Sequence, residues 1–178
     1  MILPSKQTDA LLIDKEAIMS ISPYQYQLLT QSFATLKPNF HCFCVSLHSQ
    51  LKRYDLQLVV PNSPKYLLNI EHRIHTFLHE AIALLPQQSA LVDLVQQYKS
   101  DFHTLRLSEY DIAVICHTML ETLQLHLGRQ FTLALRNAWR KALHMFANII
   151  KSVAFNTTNV VNLQHFRQQK QHQISTLR

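Results

Sequence analysis

At 178 residues, 47% hydrophobic and 16% charged, the chain has the size and composition of one globular domain with a substantial core, which excludes a disordered polymer. A single glycine excludes a glycine-rich phosphate loop, and no apolar run approaches the ~18 residues that a membrane span needs. The net charge of +6 would admit anionic partners, but much of it falls in the C-terminal tail, where a solvated basic segment is the plainer expectation.

Residues 1–21 carry short apolar patches and no capped periodic run, and read as an N-terminal extension. Ser22-Pro23 is a helix start, a capping hydroxyl followed by proline at the first helical position. Tyr26, Leu29, Phe33 and Leu36 form the inner face of that helix, and Lys37-Pro38 ends it. A second helix is expected from about Asn39 to Arg53, with Phe40, Phe43, Cys44, Leu47 and Leu51 inward. Leu56, Leu58, Val59 and Val60 then suggest a packed corner. Ser63-Pro64 repeats the start signal and opens a helix burying Leu67, Ile70, Ile74, Phe77, Leu78, Ala81 and Leu85, stopped by Pro86.

The next stripe is Leu91, Val92, Val95, Tyr98 and Phe102, with Leu105 and Leu107 in a short corner after it. Ser108 and Asp111 make a capping-box-like pair, and Ile112, Ile115, Met119, Leu123 and Leu127 lead from it to Gly128. A lone glycine at this point predicts a helix end in a left-handed conformation. Thr132 caps the last helix, whose inner face is Leu135, Trp139, Ala142, Phe146, Ile149, Ile150 and Val153. From Asn156 to Arg178 the chain is a polar, basic tail. The sum is an all-α domain over residues 22–155 with six principal helices.

The corner carries a more specific pattern. Leu127-Gly128, three residues, Thr132, five residues, Ala138-Trp139, one residue, Lys141-Ala142 resembles the turn between the last two helices of bacterial haemoglobins and flavohaemoglobin globin domains. Extended upstream without a gap, the resemblance covers roughly Ser22 to Phe155. It implies a globin-like fold and, in most of that superfamily, haem b and reversible binding of oxygen or another diatomic gas. It places Phe102 where the proximal histidine belongs, with His103 beside it; a corner shorter by one residue makes His103 the iron ligand. On the distal side it places Ile70, or Asn69 after a slip of one, and it puts His48 where a distal tyrosine is usual. Ile74, Tyr98 and Leu107 complete the implied walls. Ala154 and Ile112 lie near the positions of the acid and tyrosine that support peroxidase-like chemistry, so no enzyme is expected.

Two readings stay open. In one, His103 binds iron and His48 or Asn69 lines the gas site. In the other, Phe102, Ile70 and Val60 fill the former pocket, and the domain is a haem-free globin used for regulation, sensing or protein interaction. Other constellations are weaker. His72, His75 and His79 share one helix face at ligand-like spacing but read as a solvent-facing row. Cys42, Cys44 and Cys116 lack ligand spacing and a histidine partner, and suit packing in a reduced, cytoplasmic setting. Nucleic-acid binding through Arg136, Arg140, Lys141 and the tail lacks stacking aromatics and is a lesser alternative. A homodimer through the final helices would use Leu133, Leu143 and Met145.

Overall fold

The computed structural model describes residues 20–57 and 63–155. The extension up to Met19, the corner residues Leu58, Val59 and Val60, the tail from Asn156 and the side chain of Leu67 lie outside what it describes. Six helices of ten or more residues and one short one make up the described chain: α1 (Pro23–Leu36), α2 (Phe40–Leu51), α3 (Pro64–Leu84), α4 (Gln88–Gln97), α5 (Lys99–Thr104), α6 (Glu109–Leu127) and α7 (Leu133–Phe155). Single 3₁₀ turns, Lys37–Asn39 and Gly128–Gln130, join α1 to α2 and α6 to α7. No strand occurs among the described residues, so the fold is all-α, and none of its helices is long and apolar enough to cross a membrane.

Local chemistry sets most of the helix ends. Ser22 accepts from the Gln25 N–H at 3.2 Å while Gln25 Oε1 accepts from the Ser22 N–H at 3.1 Å, a reciprocal cap that satisfies two otherwise orphaned donors. Ser108 and Asp111 repeat the device at α6. Ser63 starts α3 differently from expectation: Pro64 opens the helix, but the Ser63 side chain makes no capping bond. Gly128 closes α6 at φ +50, ψ −123, a positive-φ conformation outside the usual left-handed well, which only glycine adopts cheaply. A Cβ there would meet nothing within 4 Å, so backbone conformation and not space demands the glycine. Thr132 Oγ1 then accepts from the Leu135 N–H at 3.3 Å to begin α7.

One expected helix is two. The stripe from Leu91 to Phe102 breaks at Tyr98 (φ −93, ψ 4), whose N–H reaches back to Val95 O at 3.1 Å. The short α5 that follows ends on Arg106 at φ +53. Arg106 N–H donates to His103 O and Leu107 N–H to Phe102 O, both at 3.1 Å, a Schellman closure with arginine where glycine is usual.

The core forms around α7, which packs against α1, α4, α5 and α6, while α2 lies on α6 and α3 on α1 and α4. Trp139 is 1% exposed, and its indole N–H donates to Ser32 Oγ at 2.9 Å, which itself donates to Leu29 O at 3.0 Å. That chain of bonds lets the largest core side chain keep a polar atom buried without cost, so truncating it would remove roughly 3–5 kcal/mol of packing. Because α7 is wrapped on several sides, its buried arc is wider than the sequence stripe. Leu143 and Met145, expected on a dimer face, are 5% exposed core residues, and only Leu133 of the three is outside.

Candidate functional site

The space between α3 and the α4–α5 pair is flanked by the residues that the family resemblance assigns to a cofactor pocket. It holds a groove of about 290 Å³, walled by Asn69, Ile70, Arg73, Ile74 and Phe77 of α3 and by Tyr98, Asp101, Phe102, Thr104 and Leu105 opposite. Steps of three and four along α3 bring Ile70, Ile74 and Phe77 to one face. The break at Tyr98 turns α5 so that Phe102 joins them.

Aromatic rings form much of the groove's wall. The Phe77 ring meets Tyr98 edge-on at 5.1 Å between centroids and Phe146 of α7 at 6.3 Å, both favourable edge-to-face geometries. Phe102 is half-buried and packs on the same core. Over the outer side, the Arg73 guanidinium lies 5.6 Å from the Tyr98 ring centroid and pairs with Asp101. Arg73 is exposed and Asp101 partly so, and water screens the pair, so it contributes at most about 1 kcal/mol and latches the rim weakly. Burial, with Glu80 and Asp101 adding to it against the pull of Arg73, pushes the Tyr98 phenol up, which keeps it neutral.

Five of the residues expected around a cofactor (Asn69, Ile70, Ile74, Tyr98 and Phe102) line this one groove. The remaining three do not. His103 is exposed on α5 and is not part of the groove wall, although Phe102 and Thr104 on either side of it are. His48 is half-buried on α2, and Leu107 is half-buried beyond the end of α5. The lining therefore offers iron no imidazole. Its volume sits at the lower edge of the ~300–1,000 Å³ of pockets that enclose a sizeable ligand. As the side chains stand, the residues present do not fit a haem. Sequence reasoning missed Arg73 and Asp101 as rim residues and Phe77 as a groove wall. The ion pair joins positions 28 apart and leaves no local signature.

The histidine row differs from expectation too. His72 and His79 are exposed, but His75 is half-buried: its ring lies 4.9 Å from Phe40 and 5.5 Å from Phe33, stacked 6.4 Å from His79. Burial, then Lys37, His79 and His72, lower its pKa against the opposing effect of Glu71, which itself bonds His41 Nδ1 at 2.7 Å. The row turns partly inward because α1 and α2 close over α3. No group of three His, Cys, Asp or Glu among the described residues could hold a metal ion. Burial pushes the Cys44 thiol up to about 12, with Glu71 adding to it, and the Cys116 thiol up to about 11 against the pull of Lys151. Neither is a thiolate nucleophile near neutral pH. Beside the groove, a larger open hollow of about 430 Å³ between the C-terminal half of α3 and α4 mixes His79, Glu80 and Asp93 with alanine and leucine and converges no polar group on a centre.

No protein-family model and no curated protein matches this chain.

Proposed function

We infer that this chain is a haem-free, globin-like helical domain that acts as a regulatory or protein-interaction module. The observation that carries this reading is the lining of the α3/α4–α5 groove, where Phe77, Tyr98 and Phe102 stand among the walls and no imidazole does. Phenylalanine in place of a buried ligand removes the one strong bond a protein makes to haem, while apolar packing maintains the fold without it. The helix order and the corner from Leu127 to Ala142 support a globin-like ancestry, and the family resemblance of that corner is what joins the aromatic-walled groove to a lost pocket. With the cofactor gone, the surface is what remains to carry a function.

Titration of the purified chain with hemin, followed by its visible spectrum, tests the reading. The expected result is the spectrum of free hemin at every ratio. A saturable, equimolar Soret band that disappears in His103→Ala would establish the gas-binding alternative instead, with His103 as the iron ligand. A band that survives that substitution would place the ligand elsewhere and would equally end the haem-free reading.

A further inference from the structure

The charge of this chain is divided along its length. From Thr122 to the last residue, Arg178, there is no aspartate or glutamate, while eight lysines and arginines occur; all eleven acids lie before that point. Helix α7 falls in the acid-free part, and its buried side is already committed to Trp139 and the core. Its outer side is a single stripe: Leu133, 74% exposed, then Arg136, Arg140 and His144, all exposed, with the half-buried Lys141 alongside. Arg129, in the turn before α7, is also exposed. Among the described residues no carboxylate reaches salt-bridge distance of Arg129, Arg136, Arg140 or Lys141. Lys52 and Arg53 likewise make no ion pair within the described residues, so what sets the stripe apart is that every acid of the chain lies before Thr122.

We propose that the outer stripe of α7 is a docking surface for an acidic helical segment of a partner protein. This rests on the reading of the domain as an interaction module and adds the chemistry of the partner. Arg136, Arg140 and His144 are four residues apart, so they repeat every ~6 Å along the helix. Carboxylates at four-residue steps on a partner helix repeat with the same rise and meet them one to one, arginine offering its planar fork to each. Leu133 at the start of the stripe supplies an apolar anchor at one end.

The same features disfavour other occupants. The stripe is one helix wide, and the neighbouring α6 presents the acids Glu109 and Glu121, the first 3.7 Å from Lys151 and the second paired with His117 at 3.4 Å. A nucleic-acid duplex or an anionic membrane presents a charged surface far wider than this one-helix stripe. A second copy of this chain docking through the same face would set arginine against arginine, because a two-fold interface opposes like patches.

The test uses the full chain and a labelled synthetic peptide of about five helical turns, with glutamate every fourth residue and leucine between. Fluorescence anisotropy should show saturable binding that weakens steeply with added salt. Arg136→Glu with Arg140→Glu should weaken it by about tenfold or more with unchanged thermal unfolding, since both side chains are exposed. Lys52→Glu with Arg53→Glu, equally exposed at the end of α2, should leave it unaltered. No binding at low salt, equal weakening by both pairs, or tighter binding to a DNA duplex or to phosphatidylserine vesicles than to the peptide would overturn the proposal. Hemin uptake by the same preparation would overturn the haem-free reading alone, so the two failures are distinguishable.

Discussion

Removing the carboxylate of Asp111 should destabilise the domain by about 3 kcal/mol. Asp111 is fully buried, and both of its oxygens are occupied. Oδ2 accepts from the Ser108 N–H at 2.9 Å and from the Ser108 hydroxyl at 2.7 Å, and Oδ1 accepts from the Gln57 N–H at 3.0 Å. The first two bonds cap α6; the third ties the corner after α2 to the same helix, across 54 residues of sequence. Hydrogen bonds to a charged group contribute roughly 1.5–3 kcal/mol each, and a buried donor left without a partner costs about as much. Gln57 is exposed and water can replace its partner, so its bond is discounted. The two bonds from Ser108, itself half-buried, then give about 3 kcal/mol for Asp111→Ala. Asp111→Asn should cost about 2 kcal/mol, because the amide turns donors toward donors. Urea unfolding followed by far-UV circular dichroism measures both. The thermal midpoint should fall by about 6–12 °C for the alanine variant, at 2–4 °C per kcal/mol for a chain of this size. Combined with Ser108→Ala, the two losses should fall short of additive by about 1 kcal/mol. A loss below about 1 kcal/mol for Asp111→Ala, or full additivity, would refute the argument that this carboxylate and Ser108 together hold the start of α6.

Three further outcomes follow from the geometry. Gly128→Ala should destabilise by about 1–2 kcal/mol through backbone strain alone, whereas Arg106→Gly, at a φ of +53 in a Schellman closure, should stabilise by about 0.5–1 kcal/mol; two changes of the same sign would refute the assignment of strain. The exposed Cys42 should react first with Ellman's reagent at mildly alkaline pH, with Cys44 and Cys116 lagging because their thiols are pushed up to about 12 and 11, and three equal rates would contradict this. The native pKa of His75 is lowered below 6.5, so the unfolded chain binds the proton more readily. Its contribution to stability is present in full above about 6.5 and is lost as pH falls through the lowered native value, and His75→Phe should flatten the decline in unfolding free energy between about pH 7 and 5. An unchanged slope would show that His75 does not carry it.

The groove was only partly legible before the fold was known. Periodicity put Ile70, Ile74 and Tyr98 on inner faces, and the resemblance drew Asn69 and Phe102 toward the same place. The choice between Phe102 and its neighbour His103 turns on a single helical step. That step depends on where α5 begins, and neither a proline nor a glycine marks the break at Tyr98. The break coincides with the Tyr98 ring meeting Phe77 and the Arg73 guanidinium, partners from a different helix.

What the sequence alone determined are features whose causes lie within three or four residues. The reciprocal caps at Ser22 and Ser108, the closure at Gly128, the cap at Thr132 and the inward face carrying Trp139 all belong to that class, because helix ends and helix faces are set by neighbours one turn away. What only the tertiary structure decided depends on groups distant along the chain. The Arg73–Asp101 latch, the Gln57–Asp111 tether, the inward turn of His75 and the exposure of His103 are of this kind. Local pattern specifies which side of a helix is apolar, but which other helix covers it, and which polar groups meet at the seam, is fixed only when all the helices pack at once.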